Sequence, residues 1–241
     1  MNVIRGNQVR GAAWSLRQLD ETGWISPEDD PNRAFFEAAA AGNWTWLRAQ
    51  LPALTASQGE AHGWVGDATG EGGTLAPWQQ DYFASTAAAA ARRGSEDAKV
   101  VFAWMGNFLA GRFLAGAKGF NPRDGVAYTI AIAPEGGKPG PFRSWAECGA
   151  ATRARGLSNQ DGWSKSGGNY GQLGLQALAA LRDVVGSEEA RRAYDWLAEA
   201  GAPGTRLRDY FSDPLYNIVP RGVHRAPSQA QRCVAVAAAA A

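Results

Sequence analysis

The chain has little sulfur, little imidazole and almost no net charge. Among 241 residues there are 2 Cys, 2 His and 2 Met, and 24 basic side chains face 23 acidic ones. Two cysteines as far apart as Cys148 and Cys233 make no disulfide framework, although they leave a single pairing open. C-x-x-C and H-E-x-x-H are absent, and His62 and His224 are too few for an ordinary zinc site. A net charge of +1 offers no field to nucleic acid or to an anionic membrane. No uninterrupted apolar run has the length of a membrane span, and no basic, apolar and cleavable leader opens the sequence. Val and Ile are scarce beside Ala and Leu, which disfavours sheets. Phosphate loops and nucleophile elbows fail as well. Gly136-Gly137-Lys138 runs into Pro139, and Gly162-Trp163-Ser164-Lys165-Ser166 lacks its closing glycine. No Gly-x-Gly-x-x-Gly follows a strand, so no cofactor is called for.

What is present is apolar content of 45%, ample for a core, and 10 Trp, more than a helical core needs. Apolar residues recur at helical spacing over most of the chain. The pattern predicts an all-α fold with helices over about 5–23, 31–51, 77–94, 96–115, 142–155, 170–185 and 188–201. Pro77 stands at a first helical position, Ser95 and Ser187 at caps, Gly94 and Gly186 at stops. Residues 125–133 are ambiguous, because Val126, Tyr128, Ile130 and Ile132 alternate like a strand. Counting that element gives eight, or about four hairpins in one domain over 1–225. An alanine-rich tail, 226–241, stays outside the fold.

Connections alternate between tight turns and long loops. Antiparallel hairpins then bring the long loops, and the starts of the odd elements, to one rim. That rim gathers aromatics and polar groups: Trp78, Asp81, Tyr82 and Phe83 at one start; Asn121, Arg123, Asp124 and Tyr128 at the next; Trp163, Asn169 and Tyr170 at the third. The first long loop adds His62, Trp64, Asp67 and Glu71, and the first helix brings Trp14 with Arg10 and Arg17. Aromatic faces that pack on sugar C–H groups, with carboxylates and amides for hydroxyls, describe a carbohydrate site. Two carboxylates across a glycosidic bond supply general acid and base. Asp81 and Asp124 are the candidate catalytic pair. Trp14, Arg17, Trp64, Trp78, Arg123, Tyr128, Trp163, Asn169 and Tyr170 are the candidate substrate-binding residues. Taken singly, an Asp in a first helical turn serves as a cap or dipole partner just as readily.

Four stretches carry a family resemblance. Arg10-Gly11-Ala12-Ala13-Trp14-Ser15-Leu16-Arg17-Gln18-Leu19 resembles a helix opening in six-hairpin glycosidase-like proteins. Pro77-Trp78-Gln79-Gln80-Asp81-Tyr82-Phe83 is similar to the aromatic–Asp start of a later inner helix there, and Asn121-Pro122-Arg123-Asp124-Gly125 and Ile218-Val219-Pro220-Arg221 add to the likeness. The resemblance implies an (α/α) toroid whose inner helices surround a substrate cleft, and a glycoside hydrolase activity. Four hairpins fall short of six. The expected object is therefore an incomplete or open toroid, able to pair with a second copy, or part of a larger enzyme whose precursor is exported. A polysaccharide lyase is the alternative activity, with Tyr128 or Tyr170 as base and Asn169 or Arg123 neutralising a uronate. A non-catalytic glycan-binding module is the third.

Overall fold

Local capping chemistry fixes most of the helix starts. In a computed structural model, which describes residues 1–66, 72–136 and 138–206, Pro77 opens a helix. The hydroxyls of Ser95 and Ser187 accept from the N–H groups of Ala98 and Ala190. Ser144 Oγ accepts from Glu147 N, and Glu147 Oε2 reaches back to accept from the N–H of Arg143, the residue before that cap. The described residues contain seven α-helices. They are α1 (Val9–Ile25), α2 (Arg33–Gln58), α3 (Pro77–Arg92), α4 (Glu96–Leu114), α5 (Trp145–Ala154), α6 (Tyr170–Val185) and α7 (Glu188–Glu199). Cys233, the Ile218–Arg221 stretch, the alanine tail, Asp67 and Glu71 lie outside the described residues.

α2 runs on past Pro52, where the sequence reading ends it. Contacts beyond the proline hold the extra turns. Trp104 Nε1 donates to Thr55 Oγ1 at 2.8 Å, and the buried Gln58 side chain bonds the backbone of Gly63 and Trp64.

α1 with α2, α3 with α4, and α6 with α7 form three antiparallel hairpins set side by side. Their first helices run parallel. Arg10 N donates to Gln79 Oε1 and Arg17 Nη2 to Ser85 Oγ, so α1 and α3 advance in step. Trp78 meets Tyr170 at one end of α3 and α6, while Ala91 and Asp183 share a cleft at the other. The second helices form a second layer, joined by Thr45–Asp97 between α2 and α4 and by Phe113–Trp196 between α4 and α7. α3 lies in the middle. Its alanines at 84, 87, 88 and 90 are all buried, and their small side chains let neighbouring helices close in from several sides.

Among the described residues the number of hairpins is three, not four. The ambiguous stretch is no helix: Pro122–Val126 is a 3-10 turn, and a two-residue strand, β2 (Ile130–Ala131), pairs antiparallel with β1 (Thr74–Leu75). α5 packs on β2, and its Trp145 stacks on Phe108 of α4 at 5.9 Å. Together these build a small second core of Trp64, Leu75, Phe120, Ile130, Ile132, Trp145 and Cys148 at the long-loop rim. Gly73 makes the turn into β1 at φ +69°, and a Cβ there would stand 2.3 Å from the Pro134 carbonyl oxygen. Gly73→Ala is expected to cost about 1–3 kcal/mol, read as a lowered urea midpoint with an unchanged slope.

One helix differs from the sequence reading in another way. Glu96–Lys118, which is α4 and its 3-10 extension, is long and apolar enough by averaged composition to cross a membrane. Asp97, Lys99, Asn107 and Arg112 interrupt it as an apolar run. Here it is the core helix of the second hairpin, with Val101, Phe102, Met105 and Leu109 fully buried.

Candidate functional site

Two helical rows meet at the rim. On α1, Arg10, Trp14 and Arg17 stand at i, i+4 and i+7, and on α3, Trp78, Tyr82 and Ser85 do the same. Because α1 and α3 are parallel and in step, the rows lie against each other. Trp14 stacks on Tyr82 with ring centres 6.1 Å apart, and Arg17 reaches Ser85 at 2.6 Å.

From Tyr82 the rings continue across the helix starts. Trp78 meets Tyr82 edge-on at 6.4 Å, stacks on Tyr170 at 5.5 Å and 17°, and stacks on Tyr128 at 6.2 Å and 28°. Tyr128 and Tyr170 close the group at 6.1 Å. The Arg10 guanidinium lies 5.6 Å from the Trp78 ring centre. Trp14 at 49% and Tyr128 at 57% exposure are the open ends of this strip, and Trp78, Tyr82 and Tyr170 are half-buried between them. Trp78 Nε1 is shielded from solvent and meets no hydrogen-bond acceptor among the described residues. Burial, with the neighbouring Tyr128, pushes the Tyr170 phenol up from its ordinary value.

Four of the predicted binding residues, Trp14, Trp78, Tyr128 and Tyr170, thus come together. Tyr82 and Arg10 join them. Both stand at the rim in the sequence without being singled out as binding residues: Tyr82 is the i+4 neighbour of Trp78, and Arg10 the i−4 neighbour of Trp14. Arg17 borders the strip but is held by Ser85 and, at 3.9 Å, by Glu21. Asn169 precedes α6, and its carbonyl accepts from Leu173 N. Trp163 packs on the main core with Arg123 over its ring at 5.7 Å, and Arg123 also faces Asp161. Trp64 does not belong to the strip. It is 5% exposed, inside the small core, because its neighbours in the chain are held by Gln58 and Gln80. His62 is a structural residue whose Nδ1 lies 2.9 Å from the Gly59 carbonyl.

The two carboxylates are placed differently from the expected cleft pair. Asp81 is 2% exposed and bound to the wholly buried Arg112, with Arg112 Nη2 donating to Asp81 Oδ1 at 2.6 Å. Arg112 also donates to the Pro77 carbonyl and sits 4.7 Å from the Phe113 ring centre. Burial outweighs the arginine and pushes the Asp81 carboxyl up to about 6. Asp124 is 1% exposed. Its Oδ1 accepts from Asn159 N at 2.6 Å and Ser158 Oγ at 3.1 Å, while Oδ2 meets no partner among the described residues. Burial raises its pKa also, against those donors and Arg153. Neither carboxylate presents an open oxygen to a ligand on the surface.

No protein-family model, curated protein or solved structure matches the chain.

Proposed function

We propose that this protein recognises carbohydrate through the aromatic strip at its long-loop rim. The observation that carries the reading is the continuous run of Trp14, Tyr82, Trp78, Tyr128 and Tyr170, part-exposed and flanked by Arg10. Large rings held by their neighbours offer apolar faces at little entropic cost, and polar edges and guanidinium groups remain for hydroxyls. Three parallel helices backed by a second layer of three support reading the fold as a sector of an α/α toroid, with α1, α3 and α6 as its inner helices. On that reading the strip occupies the inner-helix start, where a toroidal glycosidase holds its substrate.

Titration calorimetry against a panel of neutral and acidic oligosaccharides tests this. Binding is expected for at least one, and Trp14→Ala and Tyr128→Ala should each weaken it by roughly 5–10-fold, because these are the open rings. Binding that ignores both substitutions would sink the assignment of the site.

Hydrolysis is the weaker reading, because Asp81 and Asp124 are both sealed from the surface and neither has an oxygen within reach of a substrate there. New reducing ends that vanish in Asp124→Asn would establish it, and binding without product would leave recognition as the activity. The lyase alternative has less support, since a phenol pushed up, as in Tyr170, gives less of the phenolate that would accept a proton at neutral pH.

A further inference from the structure

Tyr128 is the most exposed ring of the strip, yet its backbone is tied down. Its N–H donates to the Lys165 carbonyl at 2.8 Å. Lys165 N donates in turn to Asn159 Oδ1 at 2.8 Å, and Asn159 Nδ2 donates to Ser166 Oγ and to the Arg123 carbonyl, each at 2.8 Å. One amide side chain therefore folds the 159–166 segment and fastens it to the turn that precedes Tyr128.

Asn159 is itself held by Asp124. The 2.6 Å bond from Asn159 N and the 3.1 Å bond from Ser158 Oγ converge on a single oxygen, Asp124 Oδ1. Asn121 Nδ2 approaches the same oxygen at 3.5 Å. Every hydrogen bond that Asp124's side chain makes among the described residues therefore uses one acceptor atom, and the other oxygen is bare and sealed from solvent. An oxygen used only as an acceptor for backbone and hydroxyl donors needs no charge, and an asparagine carbonyl has the same geometry.

We infer that Asp124 is a positioning residue: through Asn159 and Lys165 it sets the place of Tyr128 in the aromatic strip, acting as a one-oxygen acceptor and not as an acid or base. The inference rests on the carbohydrate reading for its meaning in binding, but the placement of Tyr128 stands on hydrogen bonds and can be measured without a ligand.

The test uses the full chain labelled with 3-fluorotyrosine, with the Tyr128 fluorine resonance assigned by Tyr128→Phe. Asp124→Asn is expected to leave that resonance in place, and Asp124→Ala to move it toward the position of free tyrosine and sharpen it. With a ligand found by calorimetry, Asp124→Asn should keep affinity within about 2-fold and Asp124→Ala should lose roughly 10-fold. The loss should not add to that of Tyr128→Ala, whereas it should add to that of Trp14→Ala. If Asp124→Ala does not fold, Ser166→Ala, which removes one Asn159 partner, should shift the Tyr128 resonance in the same direction by less. An unmoved resonance in both variants, or a loss in Asp124→Asn equal to that in Asp124→Ala, overturns the inference. A wild-type chain that binds no sugar removes the recognition reading instead, and the fluorine signal still decides the role of Asp124.

Discussion

Arg112→Ala is expected to destabilise the protein by about 3–5 kcal/mol at pH 7, the largest effect of any single substitution considered for this chain. Arg112 and Asp81 are 0% and 1% exposed at their side chains, so neither charge has water to fall back on. Truncating the arginine strands the carboxylate, and it also removes the donor to the Pro77 carbonyl at the start of α3 and the cation packed on Phe113. The penalty should depend on pH in a definite sense. Asp81's folded value, about 6, lies above its ordinary 3.8, so between roughly pH 4 and 6 the native state binds more protons than the unfolded one. The contribution of this group therefore makes stability fall as pH rises through that window and level off above it. Without Arg112 the two influences that lower the value are gone, and the carboxyl rises further. Asp81 in the variant is then neutral at pH 5, and the deficit should shrink there relative to pH 7. Urea unfolding of wild type and Arg112→Ala at both pH values measures this. A deficit that is equal or larger at pH 5 would show that the stranded carboxylate is not its cause. Replacing both partners, as in Asp81→Leu with Arg112→Leu, should cost far less than Arg112→Ala alone.

Asp81 also shows what a sequence can and cannot disclose. Helix starts were legible because capping is local: Pro77, Ser95 and Ser187 each act on the next few residues. The i, i+4 rows of α1 and α3 were legible for the same reason. Their mutual register was not, since nothing within either helix says that Trp14 meets Tyr82 and not a ring one turn away. Asp81 shares a segment with Trp78 and Tyr82, which suggested a common cleft, but its partner at 112 is 31 residues on and belongs to another helix. The alternation in 125–133 is equally ambiguous by itself. Ile130 and Ala131 are strand because Leu75 and Thr74, more than fifty positions earlier, lie beside them. In each case the hidden fact is a non-local pairing, and burial follows from the pairing.

On the proposed carbohydrate reading, Trp78→Ala should abolish measurable binding, a loss of at least about 30-fold, equivalent to roughly 2 kcal/mol. Trp78 is the one ring in contact with Tyr82, Tyr128 and Tyr170 together, and Arg10 lies over it. Its removal splits the strip into the Trp14–Tyr82 pair and the Tyr128–Tyr170 pair, with a gap where the ligand's central ring would rest. The loss should therefore exceed that from either open end, since a central, neighbour-held tryptophan dominates an interface more than rim residues do. Stability is affected less, because Trp78 is only half-buried and its indole N–H is left without an acceptor, so truncation strands no partner. Trp78→Phe keeps an apolar ring between Tyr82 and Tyr170 and should recover much of the affinity. Calorimetry on wild type, Trp78→Ala and Trp78→Phe, with thermal unfolding followed on the same samples, separates the two effects. Trp78→Ala with a native melting profile and native affinity would remove the strip as the binding site. An intact profile with no binding would place the central contact on this indole.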